Sequence, residues 1–236
     1  MPAAPNVKFA MVTLFAVLLL AGCDFPRDAE GTLDRVRKDG VLRVGVTERP
    51  PWVYREGQSV RGIEPRIVDA FARTLGAAPE WIEGSESALA AALKARRIDL
   101  MIGGHTRDTP WQKHAGRSVA YRSARLVVAV PQGAAAPAHK ADLDGVTLEH
   151  HAGRPDIGTH VADAGGKPLP TQRLGRAPAA IYDFESAAHA LTATTLVLHT
   201  DEHIILIAPG ENRLALELDR FLAGPGRRLA QAAPAP

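Results

Sequence analysis

Val41-Leu42-Arg43-Val44-Gly45-Val46 decides the fold. An apolar, β-branched run after Gly40, it reads as a strand. Ahead of it, Thr32 is positioned to cap a short helix whose Leu33 and Val36 face inward and which Gly40 ends. Behind it come a loop with Pro50-Pro51-Trp52, then Gly62 and a helix over about 64–75. Pro65 suits the first turn of that helix, and Ile67, Val68, Phe71, Ala72 and Leu75 form one apolar stripe closed by Gly76. Glu80-Trp81-Ile82 is a strand, Ser85 or Ser87 caps a helix to about Arg96, and Ile98–Gly103 is the next strand. Helix and strand therefore alternate from 32 to 103, the pattern of an α/β unit with a largely parallel sheet.

Farther along, Arg125–Val130 is a strand of buried type. Residues 132–141 are a small-residue linker that marks a lobe boundary. Strands are expected at 146–149, 179–184, 195–198 and 203–208, with weak helices at 156–164 and 185–191. Pro209-Gly210-Glu211-Asn212 precedes a last amphipathic helix with Leu214, Leu218, Phe221 and Leu222 on one face. Residues 223–236 bury little and read as a disordered tail.

The N-terminal apolar run from Phe9 to Gly22 is 14 residues long, short of the ~20 that span a bilayer core. With Lys8 ahead of it and small residues at its exit, it reads as a secretory signal peptide. Leu20-Ala21-Gly22-Cys23 resembles a bacterial lipobox, which implies that Cys23 is acylated and holds the chain at a membrane surface. Asp24 resembles the residue that retains such proteins at the inner membrane. Cys23 is the single cysteine of the chain, so no disulfide is expected.

A formal charge of +2 without a long basic block gives no nucleic-acid footprint. Among the nine histidines, His199-x-x-x-His203 would share a face only on a helix, and its neighbours read as strands, so no metal is expected. His150-His151 point to opposite faces of a strand. There is no G-x-S-x-G, no catalytic set stands out and no cofactor is expected.

Three segments together carry a resemblance: Val41–Val46 with Pro50-Pro51-Trp52, Gly62-Ile63-Glu64 opening a helix to Leu75-Gly76-Ala77, and Leu93–Gly104 with its Asp99-led strand. In this order they resemble family 3 of the bacterial extracellular solute-binding proteins, closely over 32–131 and more loosely over 142–222. The resemblance implies an α/β, type II periplasmic binding protein-like fold, with two lobes joined by a two-strand hinge. It implies crossings near 127–130 and 203–209. The organisation expected is signal peptide 1–22, tether 23–31, lobe one 32–129, lobe two 130–204, return to lobe one 205–222, and tail 223–236. A small-molecule ligand would sit between the lobes, and an ABC-type membrane permease would read the closed form. The place would be the periplasm, by way of a lipid anchor. Two further readings stay open: an enzyme on the same scaffold, resembling cyclohexadienyl dehydratases, and a degenerate sensor or accessory lipoprotein.

The resemblance also implies ligand-binding positions. Trp52 is either an aromatic wall against the ligand or a lid on the lobe-one core. Glu48 either accepts from a ligand amine or is a solvated loop carboxylate. Glu64 is a carboxylate at the same end of lobe one. Gly104 and Thr106 would offer a loop N–H and a hydroxyl to a carboxylate. Amino-acid binders of the family place an arginine a few residues on to grip that carboxylate. Here Gln112 stands near that position, Arg107 lies out of register, and Trp111 is a candidate pocket lining. Asp183 either pairs with a ligand amine or caps the helix that follows it.

Overall fold

The computed structural model describes residues 28–231. The apolar run, Cys23 and the first part of the tether lie outside the described residues, as do 232–236. Among the described residues no helix is long and apolar enough to cross a membrane.

Lobe one opens with α1 (Thr32–Asp39), β1 (Val41–Val46), a hairpin of β2 (Tyr54–Glu56) and β3 (Ser59–Arg61), α2 (Ile63–Thr74), β4 (Ala78–Glu83), α3 (Glu86–Lys94), β5 (Leu100–Ile102) and β6 (Gly116–Arg117). β1 is central, parallel to β4 on one side and to β5 on the other. It is buried at Leu42, Val44 and Val46, as a strand covered by helices must be. The stripe Ile67, Val68, Phe71 and Ala72 of α2 is fully buried against it. Asp99, ahead of β5, is 1% exposed and accepts from the Arg43 N–H (2.8 Å) and from the guanidinium groups of Arg35 (2.6 Å) and Arg43 (2.7 Å). A buried charge is tolerated only when paired in this way, so Asp99 fixes α1, β1 and β5 together.

Lobe two holds β7 (Arg122–Pro131), β8 (Thr147–His151), α4 (Pro155–Asp163), β9 (Lys167–Thr171), β10 (Ala179–Tyr182) and β11 (Leu191–His203). They form a second sheet in the order β11-β7-β10-β8-β9. The chain returns to the first sheet through β12 (Leu206–Ile207), antiparallel to β5 and β6. The passage between sheets therefore falls between Arg117 and Arg122, ahead of the expected boundary at 130. β7 belongs to the second sheet from its first residue, and the 132–141 linker is a loop inside lobe two. An apolar run shows that a strand exists but carries no mark of which sheet it joins. β11 is one long strand with two register shifts opposite β7, where two separate strands and a helix end at 191 were expected. The segment after β10 is a 3-10 turn over Asp183–His189.

Two expectations at the ends of the fold are corrected. Thr32 does not cap α1. It is the first helical residue, and its N–H donates to Glu211 Oε2 at 3.2 Å. Asp28 in turn accepts from the N–H groups of Arg213 (2.6 Å) and Leu214 (3.0 Å), which open α5 (Asn212–Phe221). The two acids thus cap each other's helix across the chain ends, and residues 28–31 belong to the fold rather than to a loose tether. Likewise 222–231 are helical, through a π turn (Leu222–Gly226) and α6 (Arg227–Gln231). Leu222, Gly226 and Ala230, four apart, are buried along one face.

Candidate functional site

Glu64 in the first turn of α2 is fully buried. Its Oε2 accepts from the N–H groups of Gly103 (2.8 Å) and Gly104 (2.9 Å), and its Oε1 accepts from the Tyr121 hydroxyl (2.9 Å). Burial pushes its carboxyl up to about 7 against those donors. The loop it holds requires glycine at 104, where φ is +67° and a Cβ would lie 2.4 Å from Trp52 Cδ1. Trp52 fills the space so created and is 0% exposed. Its ring meets Tyr121 of lobe one edge-on (centroids 6.1 Å apart), Tyr182 (5.7 Å) and Phe184 (5.8 Å) of lobe two, and lies over His203 at 3.6 Å. This aromatic plug joins the lobes on the hinge side. Burial keeps His203 neutral, its proton affinity well below the ordinary value, with the Gly104 backbone acting more weakly in the other direction.

Outside the plug an interlobe cleft of about 240 Å³ remains. Lobe one lines it with Arg49, Glu86, Gly104, His105, Thr106 and Asp108, and lobe two with Arg154, Asp156, His160, His199 and Asp201. Arg49 pairs with Glu86 at 2.7 Å and reaches Asp156 across the cleft at 4.0 Å. Arg154 grips Asp156 through Nε (3.0 Å) and Nη2 (2.6 Å) and donates to Tyr182 Oη at 2.8 Å. Tyr182 donates onward to Asp201 Oδ2 at 2.7 Å. Burial opposes ionisation of Asp156, but Arg154 and Arg49 outweigh it and hold the carboxyl below its usual range. His160 and His199 stack at 4.0 Å, and burial, then the neighbouring His199, lowers the proton affinity of His160. His105 is pushed down to about 4 by burial, and its Nε2 has no partner among the described residues. In fixed charges two guanidinium groups face four carboxylates, and both guanidinium groups are already engaged. The cleft can therefore accept positive charge and hydrogen-bond donors more readily than a carboxylate.

A family model for bacterial extracellular solute-binding proteins, family 3, matches residues 42–224. The protein belongs to that family. Solved structures with the same fold include an ancestral cationic amino acid solute-binding protein (TM-score 0.70, 19% identity, covering 85% of this chain and 98% of that one). The arginine-bound form of ArgBP from T. maritima is similar at TM-score 0.58 and 22% identity, covering 80% and 98%. The L-cystine solute receptor of Neisseria gonorrhoeae, in its unliganded open conformation, is similar at TM-score 0.61 and 16% identity, covering 81% and 89%. Among curated proteins, membrane-bound lytic murein transglycosylase F of Vibrio cholerae is 30% identical over 113 residues, 47% of this chain and 21% of that protein. The chain thus spans about a fifth of the length of the curated relatives it matches.

In this family 3 solute-binding protein the residues singled out from sequence part company. Gly104 and Thr106 line the cleft. Trp52 and Glu64 sit directly behind it, sealed from solvent. Trp111 donates its indole N–H to Glu86 Oε2 at 3.2 Å, which orients a cleft carboxylate. Glu48 is exposed and lines a small hollow beside the β2–β3 hairpin. Gln112 is spent on Arg117, accepting at 3.0 Å on the surface. Arg107 pairs with Glu202, and Asp183 accepts from Arg125 at 2.9 Å; both line a different concavity at the hinge. Sequence reading missed Arg49, Glu86, His105, Arg154, Asp156, His160 and Asp201. One signal was present: His199 and Asp201 alternate along a strand, which puts both on one face.

Proposed function

We propose that this protein captures a small cationic, amine- or guanidinium-bearing solute between its lobes and presents it to an ABC-type permease, held at the membrane by an acylated Cys23. The observation that carries the reading is the cleft itself, walled by Glu86 and Asp108 on one lobe and Asp156 and Asp201 on the other, with no uncommitted guanidinium for a carboxylate. The names of two structural relatives, a cationic amino acid binder and an arginine binder, agree with it. The mechanism follows from the charges. The solute's cation would draw carboxylates of both lobes toward one centre, so it binds the closed form better than the open one and shifts the population toward it.

Asp201→Asn is the discriminating change, because Asp201 lines the cleft with its side chain 12% exposed, its Oδ2 accepting from Tyr182 and its Oδ1 3.5 Å from Nε2 of His199, another cleft residue. Melting curves and calorimetric titrations with diamines, guanidino compounds, amino acids and dicarboxylates should show stabilisation by the cationic members only. Asp201→Asn should weaken that binding about 10- to 100-fold, the worth of one charge-assisted hydrogen bond. A stronger shift with dicarboxylates, or an unchanged affinity in Asp201→Asn, overturns the reading.

The accessory or sensor reading is favoured by one observation, the aromatic plug that already joins the lobes through Trp52, Tyr182 and Phe184. It predicts no stabilising solute at all. The enzymatic reading would rest on Glu64 and Glu185, whose carboxyls burial pushes up to about 7, and both are buried behind the cleft rather than lining it.

A further inference from the structure

A second concavity, of about 850 Å³, opens where the passages between the lobes meet α6. Four arginines and two carboxylates line it. Arg107 is paired with Glu202, and Arg125 with Asp183 through Nε (3.0 Å) and Nη2 (2.9 Å), which neutralises two of the four. Arg122 and Arg227 have no carboxylate partner among the described residues. The Arg122 guanidinium lies 3.6 Å over the Phe184 ring and donates one N–H to the Ala230 carbonyl. Its other N–H groups have no partner among the described residues. Arg122, anchored on the Ala230 carbonyl of α6, and the exposed Arg227 of the same helix both line this groove.

We propose that this groove binds a small phosphoryl-bearing oxyanion between Arg122 and Arg227. The excess of two positive charges matches a phosphate dianion, and guanidinium forks suit its oxygens bidentately. Arg122 gives the geometry its force. It is half-buried, and burial weakens its hold on its proton more than the nearby Asp183 and Glu185 carboxyls strengthen it, so an anion at its free N–H groups would add direct counter-charge. The walls argue for a soluble oxyanion over a lipid headgroup. Among the described residues Val119 is the one large apolar residue on the rim exposed enough to meet an acyl chain, and Phe184 is covered by Arg122.

Calorimetric titration of the full chain with inorganic phosphate, at constant ionic strength with chloride as the control, should give saturable one-to-one binding. Monomeric dihexanoylphosphatidylglycerol provides the lipid arm, and binding of that lipid alone would assign the same chemistry to a headgroup. Arg227→Gln should weaken phosphate binding at least tenfold and Arg227→Glu should abolish it. Because Arg227 is exposed and remote from the cleft, both variants should keep the wild-type melting point and the amine-induced shift. Absence of saturable binding to either probe above the chloride control overturns the proposal, as does an Arg227→Glu variant that binds like the wild type.

Discussion

Replacing Trp52 with alanine is expected to lower the unfolding free energy by about 3–5 kcal/mol, the range for emptying a large aromatic site in a close-packed interior. Trp52 is completely buried, and its ring is held from both lobes at once, by Tyr121 on one side and Tyr182 and Phe184 on the other. Each edge-to-face pair adds about 0.5–1.5 kcal/mol beyond the area it covers. The residues around the site cannot collapse into it, because Gly104 has no side chain to offer and the Tyr121 hydroxyl is tied to Glu64. Urea unfolding followed by circular dichroism measures the change. Trp52→Phe should lose less than half as much as Trp52→Ala. A loss below about 1 kcal/mol for Trp52→Ala would mean the ring is a cleft wall rather than a plug.

A second large effect is expected at Glu64, read as a pH dependence. The carboxyl titrates at about 7 in the fold against an ordinary value of 4.5. Between those two values the folded chain holds more protons than the unfolded chain, so this group's contribution to stability falls as pH rises from about 4.5 to about 7 and is flat above. Glu64→Gln cannot titrate but keeps an oxygen for the Gly103 and Gly104 N–H groups. The variant should therefore gain on the wild type by about 2.5 kcal/mol between pH 5 and pH 8. His105 and His203, whose proton affinities burial lowers, act in the opposite sense and lose stability as pH falls below 6.5. They are present in both proteins and cancel in the difference. Urea midpoints of the two proteins at pH 5 and pH 8 are the measurement, and a constant gap between them would sink the assignment.

Local pattern made part of this molecule legible. Val41–Val46, the stripe from Ile67 to Ala72 and the Ser85 cap of α3 are written in periods of two and 3.6 residues, and they fold as those periods dictate. The helix over 222–231 was missed because a Gly-Pro-Gly run weighs against a helix. Burial of Leu222, Gly226 and Ala230 against the rest of lobe one overrides that local preference. Thr32 looked like a cap because threonine caps helices in isolation, whereas here Glu211, 179 residues away, supplies the charge.

The candidate site divides along the same line. Glu64, Gly104 and Thr106 were visible because they sit beside element ends whose order is recognisable. The charged walls were not. Arg49 and Glu86 meet Arg154, Asp156 and Asp201 only because two sheets face each other, and no local pattern joins residues a hundred positions apart. Arg107 and Asp183 were assigned to the cleft and stand in the hinge groove, because a residue number carries no information about which way a turn beside the sheets directs its side chain. By itself, then, the sequence determined the α/β alternation of β1, α2, β4, α3 and β5 and membership of a family, but not the β2–β3 hairpin, β6 or the closing helix. Which charges confront one another, and hence the ligand chemistry proposed for the cleft, was decided by tertiary structure. Hydrophobic periodicity acts between neighbours in the chain, whereas electrostatic complementarity acts between neighbours in space.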